Sequence, residues 1–169
     1  FTVASEEKTK KLIQAQKRHM HIGVPGHGIV IAVPIKSVGG GKTVAFLNGE
    51  TDNAAYTPSL NYAHELIVAV CSQGCTDMVM NAARAAGARG GTVLHGKGTG
   101  AKGAPKFYNI TIAQEKEMIL IVAATSQKAA IMQSILQKAG PDSKAGTIVF
   151  SLPTTHVAGF ALLDNQDES

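Results

Sequence analysis

The chain has 169 residues, 44% of them hydrophobic and 17% charged, with a net charge of +4 and an isoelectric point near 9.1. That length holds one domain or one and a half with a sizeable core, and the composition is globular. The small charged fraction points to a surface partly covered by other subunits. Mild basicity without an arginine stripe or basic helix speaks against nucleic acid and for small anionic ligands.

The longest apolar run, Met118 to Ala124, falls far short of the ~20 residues that cross a bilayer, and no signal-peptide pattern opens the chain. Phe1 in first place points to a processed form or a fragment. Cys71 and Cys75 give no disulfide framework. Their C-x-x-x-C spacing has no second ligand pair nearby, so they read as small reduced residues and the expected compartment is cytoplasmic.

In chain order, residues 1–44 read as an apolar strand about Val3, a helix from Ser5 to His19 with Ser5 near the N-cap, and a strand GIVIAV from Gly28 to Val33. A linker over 45–63 follows, in a Gly-, Asn- and Thr-rich stretch, with one short strand expected at Thr43 to Leu47. His64 to Cys71, HELIVAVC, is an apolar strand. Cys75 to Ala88 is a helix with Met78, Ala82 and Ala85 or Ala86 on one face, stopped by Gly87 and Gly90. Thr92 to Lys97 is a strand. Phe107 to Ala124 is a long strand or hairpin with a polar interruption at Gln114 to Glu117. Ser126 to Ala139 is a helix with its own N-terminal Ser, and Thr147 to Leu152, TIVFSL, closes the series before a tail at 164–169.

The chain repeats itself. A gapless offset of 119 sets Val3 on Val122, Ile29-Val30 on Ile148-Val149, Pro34 on Pro153, Val38 on Val157 and Gly40 on Gly159. Residues 64–163 therefore form a complete β-α-β, loop, β-α-β unit, the split βαβ order of an α+β, ferredoxin-like domain, and residues 1–44 form a β-α-β half of one. LIVAV, MILIVAA and TIVFSL are apolar at consecutive positions, so both faces of the sheet call for burial while two helices cover only one. A second copy of the same sheet is the simplest cover; the half unit of the same chain is the other.

Between the strands lies GGTVLHGKGTG, Gly90 to Gly100. Glycines at 96, 98 and 100 let backbone N–H groups approach an anion, and Lys97, Lys102 and Lys106 add positive charge. Gly98, Gly100 and Gly103 match G-x-G-x-x-G, but a dinucleotide fingerprint opens a helix. Here Ala104-Pro105 and the strand-like FYNITI follow, so the match is rejected.

With these residues in place, Glu65 to Gly159 resembles the PII nitrogen-regulatory and PII-like signalling proteins. The likeness lies in the strand and loop of Thr92, Val93, Lys97, Gly98 and Gly100, in the charged lead-in to an apolar strand at Lys116 to Val122, and in GTIVFSLP, Gly146 to Pro153. The resemblance implies a non-enzymatic, homotrimeric signal-transduction regulator. Such a protein binds ATP or ADP, often with 2-oxoglutarate, between subunits and docks a loop on a target protein, with nitrogen metabolism as one setting. It further implies a cofactor-binding set of Thr92, Lys97, Gly98, Thr99, Gly100, Lys116, Gly146 and Thr147, with no metal. Four departures imply altered ligand specificity. Thr147 stands where the family has a phosphate-binding lysine. His156 to Phe160 stands where it has two arginines. The loop is several residues short, and Tyr108 lies outside the family's modification context. The alternative carried beside this is a CutA-like structural or metal-responsive trimer on the same fold.

The remaining candidates have plainer readings. His19, His21 and His27 form a possible metal cluster, yet histidine at a helix C-terminus is favoured by the dipole alone. His95 reads as a half-buried strand residue, and His156 as a stand-in cation for the missing arginines. Glu115 and Glu117 flank Lys116 on one strand face; with no nucleophile nearby they read as a solvated hairpin end. No catalytic constellation emerges, and an acylphosphatase-like reading fails for want of an arginine in Cys71 to Cys75.

Overall fold

The computed structural model describes residues 4–22, 24, 27–35, 60–98, 106–107, 110–111 and 114–159. Its elements are α1 (Glu6–His19), β1 (Val30–Ala32), β2 (Asn61–Ser72), α2 (Thr76–Ala85), β3 (Thr92–Gly98), β4 (Lys106–Phe107), β5 (Ile110–Thr111), β6 (Gln114–Ala124), α3 (Thr125–Ala139), β7 (Ile148–Thr154) and β8 (His156–Ala158). The chain divides into two compact units, one of residues 1–61 with 153–169 and one of residues 62–152.

In the first unit, α1 carries strong local signals. The Ser5 hydroxyl accepts the Lys8 N–H at 3.4 Å, Glu6 and Glu7 sit in the first turn, and Lys17, Arg18 and His19 fill the last. Each charge opposes the helix dipole at its own end. Lys10 pairs with Glu6 and Lys11 with Glu7 one turn apart on the exposed side of the helix. β1 pairs antiparallel with β8, setting Val30 against Ala158, Ile31 against Val157 and Ala32 against His156. Ile13, Ile22 and Ala158 form a small buried cluster flanked by Val30 and Ala32.

In the second unit the sheet order is β3-β6-β2-β7. Since β2-α2-β3 and β6-α3-β7 are consecutive, this is the ferredoxin-like split βαβ arrangement expected from the sequence. Between β3 and β6, β4 and β5 pair as a two-residue ladder. Long antiparallel registers fix the centre, with Ala69 facing Ile119 across β2 and β6, and Val93 facing Ile119 across β3 and β6. Alternation along the strands sends Ile67, Ala69, Cys71, Ile119, Ile121 and Ala123 to the helix side. There they pack with Val79, Met80, Ala82 and Ala83 of α2 and Ile131, Ile135 and Ala139 of α3. Each fully buried isoleucine contributes about 2 kcal/mol. The Ser134 hydroxyl donates to the Ala82 carbonyl at 2.7 Å, tying the two helices together.

The opposite sheet face is apolar as well. Leu66, Val68 and Val122 are buried on it, whereas Met118, Ile148 and Phe150 are 39%, 65% and 43% exposed.

Several elements differ from the sequence reading. α2 is shorter, and its inward stripe is Val79, Met80, Ala82 and Ala83, leaving Met78 at the surface. Both spacings, 79, 82, 83 and 78, 82, 85, fit a helical stripe, so periodicity alone does not choose between them. Gly87, with φ of 101°, ends the helix as expected, and the Ala88 N–H closes back on the Ala83 carbonyl at 3.0 Å. α3 begins at Thr125 with Ala124 in the N-cap place and no side-chain cap, because β6 runs directly into it; Ser126 caps nothing. Gln114 to Glu117 does not interrupt the strand but belongs to it, since these polar residues find partners across neighbouring strands. β8 was not expected. The strands placed about Val3 and at Thr43 to Leu47 lie outside the described residues.

The offset of 119 carries α1 onto residues 125–138, inside α3, and β1 onto 149–151, inside β7.

Candidate functional site

The glycine–lysine segment leaves the sheet at the end of β3. Gly96 faces Lys116, Lys97 faces Glu115 and Gly98 faces Gln114 of β6. On the next strand over, Ser72 faces Lys116. Alternation therefore puts Gly96, Gly98, Lys116 and Ser72 on the face away from the helices, and His95, Lys97, Glu115 and Glu117 on the helix side.

Lys116 is the central cation of the outer group. Its Nζ donates to the Ser72 hydroxyl at 3.3 Å, and its stem lies across Gly98. A Cβ added at Gly98 would stand 3.0 Å from Lys116 Cγ, so the glycine makes room for the lysine. The backbone N–H of Ser72 donates to the Ala145 carbonyl at 2.9 Å. That bond draws the turn after α3, with Gly146 at φ of 55°, to the same end of β2. Ser72 thus joins two predicted site segments, Lys116 and Gly146, that are far apart in sequence.

The helix-side group behaves differently. Lys97 Nζ lies 3.5 Å from Glu115 Oε1 with both side chains well exposed, a surface pair worth under about 1 kcal/mol. Glu117, expected at a solvated hairpin end, is buried instead. Its Oε1 accepts the Gly74 N–H at 3.1 Å, and its Oε2 accepts the Thr76 N–H at 3.1 Å and the Thr76 hydroxyl at 2.6 Å. The Thr76 hydroxyl, followed by the Gly74 N–H, holds this carboxyl below the usual carboxylate range against the opposing effect of burial. Glu117 occupies the N-terminus of α2, where the dipole favours a negative charge. His95 is mostly exposed rather than half-buried, with Nδ1 3.9 Å from Glu117 Oε1.

The other predicted residues scatter. Thr92 is exposed at the opposite end of β3 from Gly98, roughly 20 Å along the strand at ~3.3 Å per residue. Thr147 is fully buried. Its N–H donates to the Ala139 carbonyl at 3.1 Å and its hydroxyl has no partner. Thr99, Gly100, Lys102 and Gly103 lie outside the described residues. Within one chain, the sheet end gathers Lys97, Gly98, Lys116 and the segment at Gly146. Sequence reasoning passed over Ser72 and Thr76 and misread Glu117 as solvated. The available signal for the last was its place two residues before Ile119 on the inward register.

His21 and His27 pack edge to face at 6.2 Å between ring centroids, with His27 Nδ1 3.3 Å from the Met20 carbonyl. Among the described residues no group of three or more His, Cys, Asp or Glu is placed to hold a metal ion. Cys71 and Cys75 are buried free thiols, and burial, with Glu117 adding, pushes the Cys71 thiol up to about 11. No helix among the described residues is long and apolar enough to cross a membrane.

Topology and site together define a ferredoxin-like α+β domain that presents a lysine-bearing loop root at one end of its sheet. The chain belongs to the nitrogen regulatory protein P-II family, whose model matches residues 64–159. Among solved structures it is similar to a PII-like signaling protein from Thermus thermophilus, at 16% identity and a TM-score of 0.41 over 53% of this chain and 84% of that one. It is also similar to Arabidopsis thaliana PII bound to citrate, at 20% identity and a TM-score of 0.42 over 54% of this chain and 77% of that one. No curated protein sequence matches the chain.

Proposed function

We propose that this chain is a non-enzymatic, cytoplasmic PII-like regulator. It senses a small anionic metabolite, an adenine nucleotide being the first candidate, and passes the signal to a target protein through the loop from Gly96 to Lys106. The observation that supports this best is the outer group at the loop root. Lys116 is held by Ser72 beneath a glycine that leaves its stem uncovered, with the Gly146 turn tied to the same residue. A cation so placed suits a phosphate or carboxylate. The exposed Met118, Ile148 and Phe150 support a homotrimer built on the sheet face away from the helices. The burial of Thr147 supports a ligand specificity different from that of relatives with a lysine there.

Calorimetric titration of the full chain with ATP, ADP, AMP and cyclic nucleotides tests the ligand half of this reading. Saturable binding of at least one is expected, and no heat from any of them would remove it. Native mass spectrometry tests the trimer.

A further inference from the structure

We propose that β8 has two rival partners, β1 of its own chain and the outer edge of β7 in a second copy. In this reading the N-terminal helix–strand unit is a built-in stand-in for a neighbouring chain.

Three observations lead there. First, β1 and β7 are two versions of one strand. The gapless offset sets GIVIAVP on TIVFSLP, and it also carries α1 into α3 and β1 into β7. Second, β1 pairs with β8, the segment that follows β7 after the single residue Thr155. A strand resembling β7 thus takes as its partner the strand that comes straight after β7. Third, β7 stands at the edge of its sheet, and Ile148 and Phe150 are exposed on it. An unpaired edge is a template for another strand.

If β1 stands for β7, the register transfers. Val149 would face Ala158, Phe150 would face Val157, and Ser151 would face His156. Within one chain this register would leave Leu152 to Thr155 as the loop, and Leu152 to Thr154 would have to give up their places in β7 to form it, a loss that a second copy does not incur. The favoured partner is therefore another copy. Each copy would give β8 and receive at β7, a head-to-tail contact that closes into a ring or runs on. While β1 holds β8, that contact is blocked. The cis ladder is only three residues long, backed by the small cluster of Ile13, Ile22 and Ala158, so its hold is breakable.

The inference does not depend on the anion-binding reading, and a trimer formed through the apolar sheet face would leave it intact. Its test uses the full chain. In one variant, Ile31→Cys and Val157→Cys face each other in the cis ladder. Oxidation locks β8 on β1 and reduction releases it, with Cys71 and Cys75 buried. Light scattering over a concentration series should show a mass that grows with concentration in the reduced protein and stays flat in the oxidised one. In a second variant, Ser151→Cys and His156→Cys report the trans register by a disulfide between chains. Adding Ala32→Pro removes a backbone N–H from β1. It should raise that cross-link on the order of tenfold or more, since a tethered rival acts at about millimolar effective concentration. Identical mass curves for the locked and released chains would overturn the proposal, even if Ala32→Pro merely unfolds the N-terminal unit. So would a chain-to-chain disulfide that is absent, or equally abundant, with and without Ala32→Pro.

Discussion

Glu117 of β6 and Thr76 of α2, 41 residues apart in sequence, are joined twice through one carboxylate oxygen: the Thr76 hydroxyl donates to it at 2.6 Å and the Thr76 N–H at 3.1 Å. The first turn of α2 is thereby capped from the sheet rather than by its own leading residue, since Cys75 provides no side-chain cap. The strand that carries Lys116 to the loop root is the same strand that fixes this helix.

That bond predicts a pH dependence. The folded-state carboxyl is held below its ordinary value of 4.5. Its stabilising effect is therefore complete above that value and is lost as pH falls from 4.5 through the lowered one. Glu117→Gln should cost about 1 to 3 kcal/mol at neutral pH, from donors left poorly matched in a buried place. It should also flatten the acid side of the stability curve. Urea unfolding at neutral and acid pH measures both, and parallel curves for the two proteins would refute the assignment.

At the loop root, Lys116→Ala should weaken binding of the anion found by calorimetry by roughly tenfold or more, the size of one charge-assisted contact. Gly98→Ala should weaken it less, by pushing the Lys116 stem aside, while the unfolding midpoint barely moves. Equal affinity in both variants would place the anion elsewhere.

The two thiols should be silent in the folded protein. Cys71 is raised to about 11, and both side chains are buried out of reach of a reagent in solution. Iodoacetamide should label neither residue in buffer and both in denaturant, as read by intact mass. Rapid native labelling would contradict the packing.

Phe150→Glu and Ile148→Glu place a charge on the exposed apolar face and away from the helix-side core. Each should lower the assembly state seen by native mass spectrometry while changing monomer stability by less than about 1 kcal/mol. An unchanged mass in both would argue that this face is not the subunit contact.

Much of the fold was legible because it is written in local terms. HELIVAVC and KEMILIVAA are too apolar to be anything but interior strands, and Gly87 stops its helix where a positive φ is needed. The site was legible only in part. Lys97, Gly98 and Lys116 follow from the loop's composition, but Ser72 matters through its register with Lys116 and its bond to Ala145, neither of which is encoded nearby. Glu117 was misjudged for the same reason: its donors belong to a helix on the far side of β3 in the chain. β8, three residues long, has too little alternation to announce itself.

Thr147 shuts a door. The position lies in the protein's interior, and an ammonium placed there would be stripped of water at a cost of several kcal/mol. A lysine at 147 would thus disrupt the packing before it could reach any anion, and the cation that such an anion meets has to come from another strand.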